Sequence, residues 1–383
     1  PLTSSDITDG IITTTKIADA NVTNPKLISG SQQNFRNIII NGDMSIAQRA
    51  TSVTGNTDGG YTTVDRWNTI LSTAGTYTIS QSTDVPSGQG FANSMKFDCT
   101  TADASLAAGD NMRLQSKFEG QNLQYLKKGT SNAESLTASF WVKSVKTGTY
   151  ILELEDKDNS RTISKSYTIS SANTWEKKTV TFPGDTTGAF GNDNARSLDV
   201  MFWLAAGSTF TSGTLSTTWT STTSANRAVG QVNLSDSTSN DWYVTGIQLE
   251  AGTTASEFEF LPVDVNLQRC FRYYQKSYDY GTAPGTNTTL GIKTSGGSAG
   301  GMTTGYIYDS VELMVQMRTT PTLTFYDKAG NSGVCARLNG GVARTDNQNC
   351  TAEGIGDKMF GINSTGTANA GSIDVHFEAT AEL

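Results

Sequence analysis

Alternation of apolar and polar side chains, broken at short intervals by Gly, Asn, Asp or Ser, runs through most of this chain and confines it to short strands. In Thr137-Ala138-Ser139-Phe140-Trp141-Val142-Lys143, Ala138, Phe140 and Val142 fall on one face and Thr137, Ser139, Trp141 and Lys143 on the other. That is the period of two of a half-buried strand. Tyr150 to Glu155 and Trp175 to Phe182 extend the series, and Leu198 to Leu204 is nearly continuous apolar sequence, as a central strand covered on both faces would be. Only 17% of the residues are charged and 38 are glycine, a balance that suits strands and turns better than long helices. The expected fold is all-β, and over residues 35–262 most simply a jelly-roll sandwich.

The texture changes after Pro262. Leu267, Cys270, Phe271 and Tyr274 fall at i, i+3, i+4 and i+7, which predicts one short connecting helix within residues 263–277. Strands return over residues 278–383, at Tyr306 to Met317, Thr322 to Tyr326 and Ile373 to Ala379, and predict a second, smaller β domain. Residues 1–34 differ again: Asp9, Ile12, Thr13, Lys16 and Ile17 recur ten positions later as Asp19, Val22, Thr23, Lys26 and Leu27. Two such units are too small to fold alone. Burial of Ile12, Ile17, Val22 and Leu27 therefore requires partner chains or a docking surface; the alternative is a disordered Thr-rich linker.

The formal net charge is −8 and no Lys/Arg run stands out, so nucleic acid is not an expected partner. No stretch approaches the roughly 18 apolar residues of a membrane span, and the N-terminus lacks a basic segment followed by an apolar one. Neither membrane insertion nor a secretory signal is expected. The chain begins at Pro1, which fits removal of an initiator Met or a trimmed longer chain.

Little points to catalysis. A single histidine, His376, leaves one possible base for a Ser-His-Asp or Cys-His pair. Asp374, His376 and Glu378 share one face of an alternating strand, a spacing able to ligate a metal but equally the pattern of plain solvent exposure; no metal is assigned. Glu153, Glu155, Asp156 and Asp158 are available for glycoside cleavage, yet their clustering on a strand and its turn reads as a solvated face. Gly296-Gly297-Ser298-Ala299-Gly300-Gly301 lacks the lysine and the strand and helix context of a phosphate loop, and reads as a flexible loop. Cys99, Cys270, Cys335 and Cys350 show no Cys-x-x-Cys spacing, so free buried thiols are the default. A hairpin turning near Asn339-Gly340-Gly341 would bring Cys335 and Cys350 across from each other, and strand geometry decides whether they bond.

One block is more specific. Asn37-Ile38-Ile39-Ile40-Asn41-Gly42-Asp43-Met44-Ser45-Ile46-Ala47-Gln48-Arg49 reads as a short buried strand and a tight turn. Together with Val64-Asp65-Arg66-Trp67 it resembles the opening of a β-sandwich module of bacteriophage tail-fibre and related tail proteins. Residues 245–274, through Gln268-Arg269-Cys270-Phe271-Arg272-Tyr273-Tyr274, resemble the segment that closes that module. Asp374 to Leu383 resembles the last strand of the terminal domain in such fibres, and the decamer repeat resembles their stalk and attachment segments. The resemblance implies a homotrimeric virion protein in the phage tail, extracellular, attached through residues 1–34 to other tail proteins and binding a host cell-surface glycan without breaking a bond. A tailspike-type polysaccharide depolymerase or a secreted carbohydrate-binding module is the alternative reading, and a head fibre or collar component shares the same features. Jelly-roll sugar-binding modules commonly hold calcium through an acid near the first strand and a paired Asp before the last. Asp43 fits the first place, but Thr245 and Gly246 stand at the second, and no cofactor is assigned.

Aromatic rings stack on the apolar faces of sugars while leaving polar edges for hydrogen bonds. Of six tryptophans, Trp67 and Trp203 belong to apolar contexts and are expected in the core. Trp141, on the polar face of its strand, and Trp219, within Thr217-Thr218-Trp219-Thr220-Ser221, are the ligand-binding candidates. The competing role for each is to pin a loop or pack on a neighbouring subunit.

Overall fold

The computed structural model describes residues 35–72, 75–296, 304–339, 343–367 and 370–383. The chain divides into two compact units, Pro1–Arg36 and Asn37–Leu383. The attachment candidates Ile12, Ile17, Val22 and Leu27, and residues 297–301 of the expected glycine loop, lie outside the described residues.

The sandwich strands are β1 (Ser52–Asn56), β2 (Asn68–Ser72), β3 (Thr76–Ser82), β4 (Ser94–Thr101), β5 (Asn111–Glu119) and β6 (Leu136–Ser144). They continue as β7 (Gly148–Asp156), β8 (Arg161–Ile169), β9 (Glu176–Phe182), β10 (Arg196–Ala206), β11 (Thr220–Ser221) and β12 (Asp241–Ala251). They form two six-stranded sheets, in the orders β1-β3-β4-β12-β6-β9 and β11-β8-β7-β10-β5-β2. Every pairing is antiparallel, and the molecule is an all-β sandwich of jelly-roll type. The alternation read from the sequence is met in β6: Ala138, Phe140 and Val142 point into the core between the sheets with Trp67, Phe97, Phe202 and Trp242. Strand β10 runs between β7 and β5 and is covered on both faces. Its Phe202 lies in the main core, whereas Trp203 lies on the other face in a satellite cluster with Ile151 and Ala228.

Two local expectations are corrected. Ile38 to Ile40 is largely buried but is not a strand. Asn37 Oδ1 accepts from the backbone of Ile39 and Leu249, and Asn41 Oδ1 accepts from Ile46 while its Nδ2 donates to the Ile46 and Asp65 carbonyls. Side-chain amides thus take the bonds that a ladder would have used. The helix within 263–277 is shorter than its stripe. A single turn, α1 (Ser208–Thr211), precedes it; α2 spans Val263–Phe271, and Tyr274 already belongs to β13 (Tyr274–Lys276). Tyr274, Gln275 and Lys276 pair with Thr380, Ala379 and Glu378, so cross-strand bonds override a continued helical stripe.

The remaining strands are β14 (Lys293–Gly296), β15 (Thr304–Glu312), β16 (Thr322–Tyr326), β17 (Val334–Asn339), β18 (Ala343–Asn349), β19 (Thr351–Glu353), β20 (Met359–Thr367) and β21 (Ala370–Thr380). Strand β21 is the hub, pairing with β13, β14, β16 and β17, and β15-β20-β19 forms a separate three-stranded sheet. A second core of Val311, Met317, Phe325, Phe360, Val375 and Phe377 lies here. Helix α2 contributes to a third, small cluster, in which Cys270 packs with Ile40, Ile46 and Tyr273. No helix among the described residues is long and apolar enough to cross a membrane.

Candidate functional site

Trp141 stands beside a cavity of ≈ 240 Å³ on the outer face of the first sheet, somewhat below the roughly 300–1,000 Å³ of small-molecule sites. Strand register places it. On β6, Trp141 lies opposite Thr245 of β12 on one side and opposite Lys177 of β9 on the other. Ser139, two residues back, lies on the same face. Two excursions complete the walls: the loop before β4 contributes Gln89 and Phe91, and the segment after β12 contributes Glu257, Phe258 and Phe260.

The three phenylalanines pack mutually, with ring centroids 5.1 Å (Phe91–Phe258), 5.1 Å (Phe91–Phe260) and 4.8 Å (Phe258–Phe260) apart. Phe260 nevertheless remains 50% exposed. Room for Phe91 comes from an irregularity in β12 between Thr245 and Gln248. Gly246 sits there at φ +61°, and a Cβ on it would meet Phe91 Cζ at 2.5 Å. The residue found where a calcium-binding acid would stand is thus required for packing of the wall.

The wall segment is fastened to the sheet. Gln248 Nε2 donates to the Glu257 carbonyl and Gln248 Oε1 accepts from the Glu259 backbone, while Glu250 accepts from the backbone and hydroxyl of Ser256. Lys177 Nζ lies 3.8 Å from the outward-pointing Glu257 carboxylate. The result is an apolar aromatic wall and a polar rim of Gln89, Ser139, Lys177 and Glu257. The next row of the same face continues the pattern: Trp175 meets Tyr243 at 6.1 Å, Lys143 Nζ lies 4.2 Å from the Tyr243 ring centre, and Trp175 Nε1 donates to Asp84. Burial works against the charge on Asp84, but hydrogen bonds from Lys143 and Trp175 prevail and hold its carboxyl below the usual range.

Trp219 is placed differently. Its ring packs against the main core, its Nε1 donates to the Pro183 carbonyl at 2.8 Å, and Lys128 Nζ lies 5.5 Å from its centre. The space beside it is ≈ 20 Å³, room for about one water. Trp219 pins a loop, and Trp141 adjoins open volume. The sequence reading missed Phe91, Phe258, Phe260, Trp175 and Tyr243; the alternation Glu257-Phe258-Glu259-Phe260 was the available sign that two rings share a face.

The acids and the histidine have other partners. Glu153, Glu155 and Asp156 are buried, not solvated as their pattern suggested. The segment after β10 lies over the second sheet and delivers Arg227, which donates to Glu153 at 2.8 Å and Glu155 at 2.7 Å. Trp203 Nε1 and Thr162 Oγ1 also donate to Glu153, and Lys128 pairs with Asp156. Asp374, His376 and Glu378 share a face as expected, but that face is neither solvated nor convergent on one point. Asp374 pairs with Arg344 and Thr294, Glu378 accepts from Tyr274 and Tyr326, and His376 is fully buried and stacked 3.9 Å from Tyr278. No group of three metal-ligating side chains occurs among the described residues. Asp43 occupies a polar niche of ≈ 10 Å³ that Arg269 also lines; burial raises its carboxyl.

No family model matches the chain, and no curated protein matches it. Solved structures align with part of it. The enzymatically active domain of bacteriophage CBA120 tailspike protein 4 aligns at 15% identity with a TM-score of 0.29, over 56% of this chain and 21% of that one. A family 11 carbohydrate-binding module of a Clostridium thermocellum cellulosomal cellulase aligns at 13% identity and a TM-score of 0.27, over 53% of this chain and 98% of the module. A family 22 module of Clostridium thermocellum Xyn10B aligns at 12% identity and a TM-score of 0.28, over 53% and 96%.

Proposed function

We propose that this chain is a homotrimeric bacteriophage tail-fibre protein that attaches to the host by binding a cell-surface polysaccharide without cleaving it. The observation that carries the binding role is the cavity beside Trp141. It pairs aromatic rings with a rim of polar groups, chemistry that matches the apolar faces and hydroxyl edges of a pyranose. Glu257 is the one carboxylate among the residues lining it, whereas glycoside cleavage uses two carboxyls flanking the bond. The fibre role rests on the resemblance of the opening and closing blocks, with the N-terminal repeat serving as stalk or attachment segment.

The test is titration of host surface polysaccharide against the purified protein and its Trp141→Ala variant, after light scattering has established the mass in solution. A trimer whose binding weakens at least ~tenfold in the variant, about 1.4 kcal/mol, is expected. A monomer removes the fibre, unchanged binding in the variant removes the site, and release of reducing ends selects the depolymerase.

A further inference from the structure

Cys335 and Cys350 flank one edge of the β17–β18 hairpin. The ladder pairs Val334 with Asn349 and Cys335 with Gln348, so Cys350, two residues beyond Gln348, lies diagonal to Cys335 on the same face. Both side chains enter one apolar cluster, Cys335 buried within it and Cys350 partly buried against it. Cys335 Sγ lies 3.7 Å from the Asn349 carbonyl, directly before Cys350, and 3.6 Å from Ser364 Oγ of β20. A partly exposed thiol beside a second, buried thiol is the arrangement in which a mixed disulfide formed at the first is resolved by the second. Cys99 and Cys270 are buried in other clusters.

We propose that Cys335 and Cys350 are a reversible dithiol that closes to a disulfide under oxidising conditions and staples the β17–β18 hairpin. With a low-molecular-weight disulfide as oxidant, the partly exposed Cys350 loses its proton and attacks one sulfur of the reagent, expelling one small thiolate. The Cys335 thiolate then attacks Cys350 Sγ in the mixed disulfide and expels the second small thiolate. One protein disulfide forms, one reagent disulfide is reduced to two thiols, and the two protons lost by the cysteines end on those thiols. The closed loop spans roughly 15 residues, long enough for the cross-link to restrict the unfolded chain appreciably.

The full chain is incubated with oxidised glutathione, denatured, alkylated and mapped by mass spectrometry. Of four cysteines, Cys335 and Cys350 are expected to escape alkylation together and to appear in one cross-linked peptide pair. The oxidised protein melts several degrees higher than the reduced one, and the Cys350→Ser variant loses that shift. Cys335→Ser, lacking the resolving thiol, accumulates glutathione on Cys350. Four alkylated cysteines, a stable glutathione adduct on the unsubstituted protein, or a link through Cys99 or Cys270 would overturn the proposal.

Discussion

The Arg66 guanidinium lies 3.4 Å above the centre of the Tyr273 ring, so a residue of the opening block is stacked on one of the closing block. The same guanidinium pairs with Glu382 and donates to the Lys117 carbonyl, and Arg49 adds a second cation beside Glu382 at 3.2 Å. Trp67 Nε1 completes the joint by donating to the Asn41 carbonyl. The motif residues that mark this sequence therefore hold the sandwich, the segment that follows helix α2 and the segment that follows the last strand together.

Arg66 is 1% exposed, and its removal takes from the buried Glu382 carboxylate one of its two cations, leaving Arg49. Arg66→Ala is expected to cost about 1.5–3 kcal/mol in urea denaturation. Arg66→Met combined with Glu382→Met should recover part of that loss, because Arg49 keeps Asp65 at 3.8 Å as its partner. A loss below about 1 kcal/mol for Arg66→Ala would show that the joint is solvated.

Gly246→Ala tests the construction of the wall. The new methyl enters the space of the Phe91 ring at a backbone position of φ +61°, so strain of about 1–3 kcal/mol accompanies displacement of Phe91 from Phe258 and Phe260. Thermal melting should fall and polysaccharide binding should weaken. Gly55→Ala, at φ +64° with nothing within 4 Å, should show the strain in melting and leave binding intact.

His376 makes stability depend on pH. Burial lowers its pKa, opposed by its bond to the Thr288 carbonyl. The network assigns a neutral ring whose Nε2–H donates to Thr288 O while Nδ1 accepts from Ser277. The unfolded chain binds the proton more readily, so this group's contribution is full above the unfolded value of about 6.5 and is lost as pH falls through and below it. The urea midpoint should drop between pH 7.5 and 5.5 by more in the unsubstituted protein than in His376→Phe. Equal drops would assign the dependence to other groups.

Much of the sandwich was legible. Ala138, Phe140 and Val142 reach the core because alternation on a pleated strand fixes which side chains share a face. Leu198 to Leu204 reads as a central strand because only a doubly covered strand tolerates apolar residues on both sides. The same reasoning failed at Ile38 to Ile40, where Asn37 and Asn41 side chains substitute for a ladder, and at Tyr274, where strand pairing begins within a helical stripe. Trp141 was visible because a large ring on a polar face is conspicuous. Its neighbours were not, because Phe91 and Phe258 are far apart in the chain and meet only through the register of β4, β12 and β6.

The sequence by itself determined the class of fold, the inward set of side chains on its strands, the short helix and the position of the motif blocks, since these follow from local periodicity and turn chemistry. Only the tertiary structure decided what covers the outward faces. A row such as Glu153, Glu155 and Asp156 has the same pattern whether it meets water or Arg227 and Lys128. Asp374, His376 and Glu378 likewise share a face without sharing a ligand. Local periodicity sets the direction of a side chain, but the groups that meet it come from segments distant in sequence.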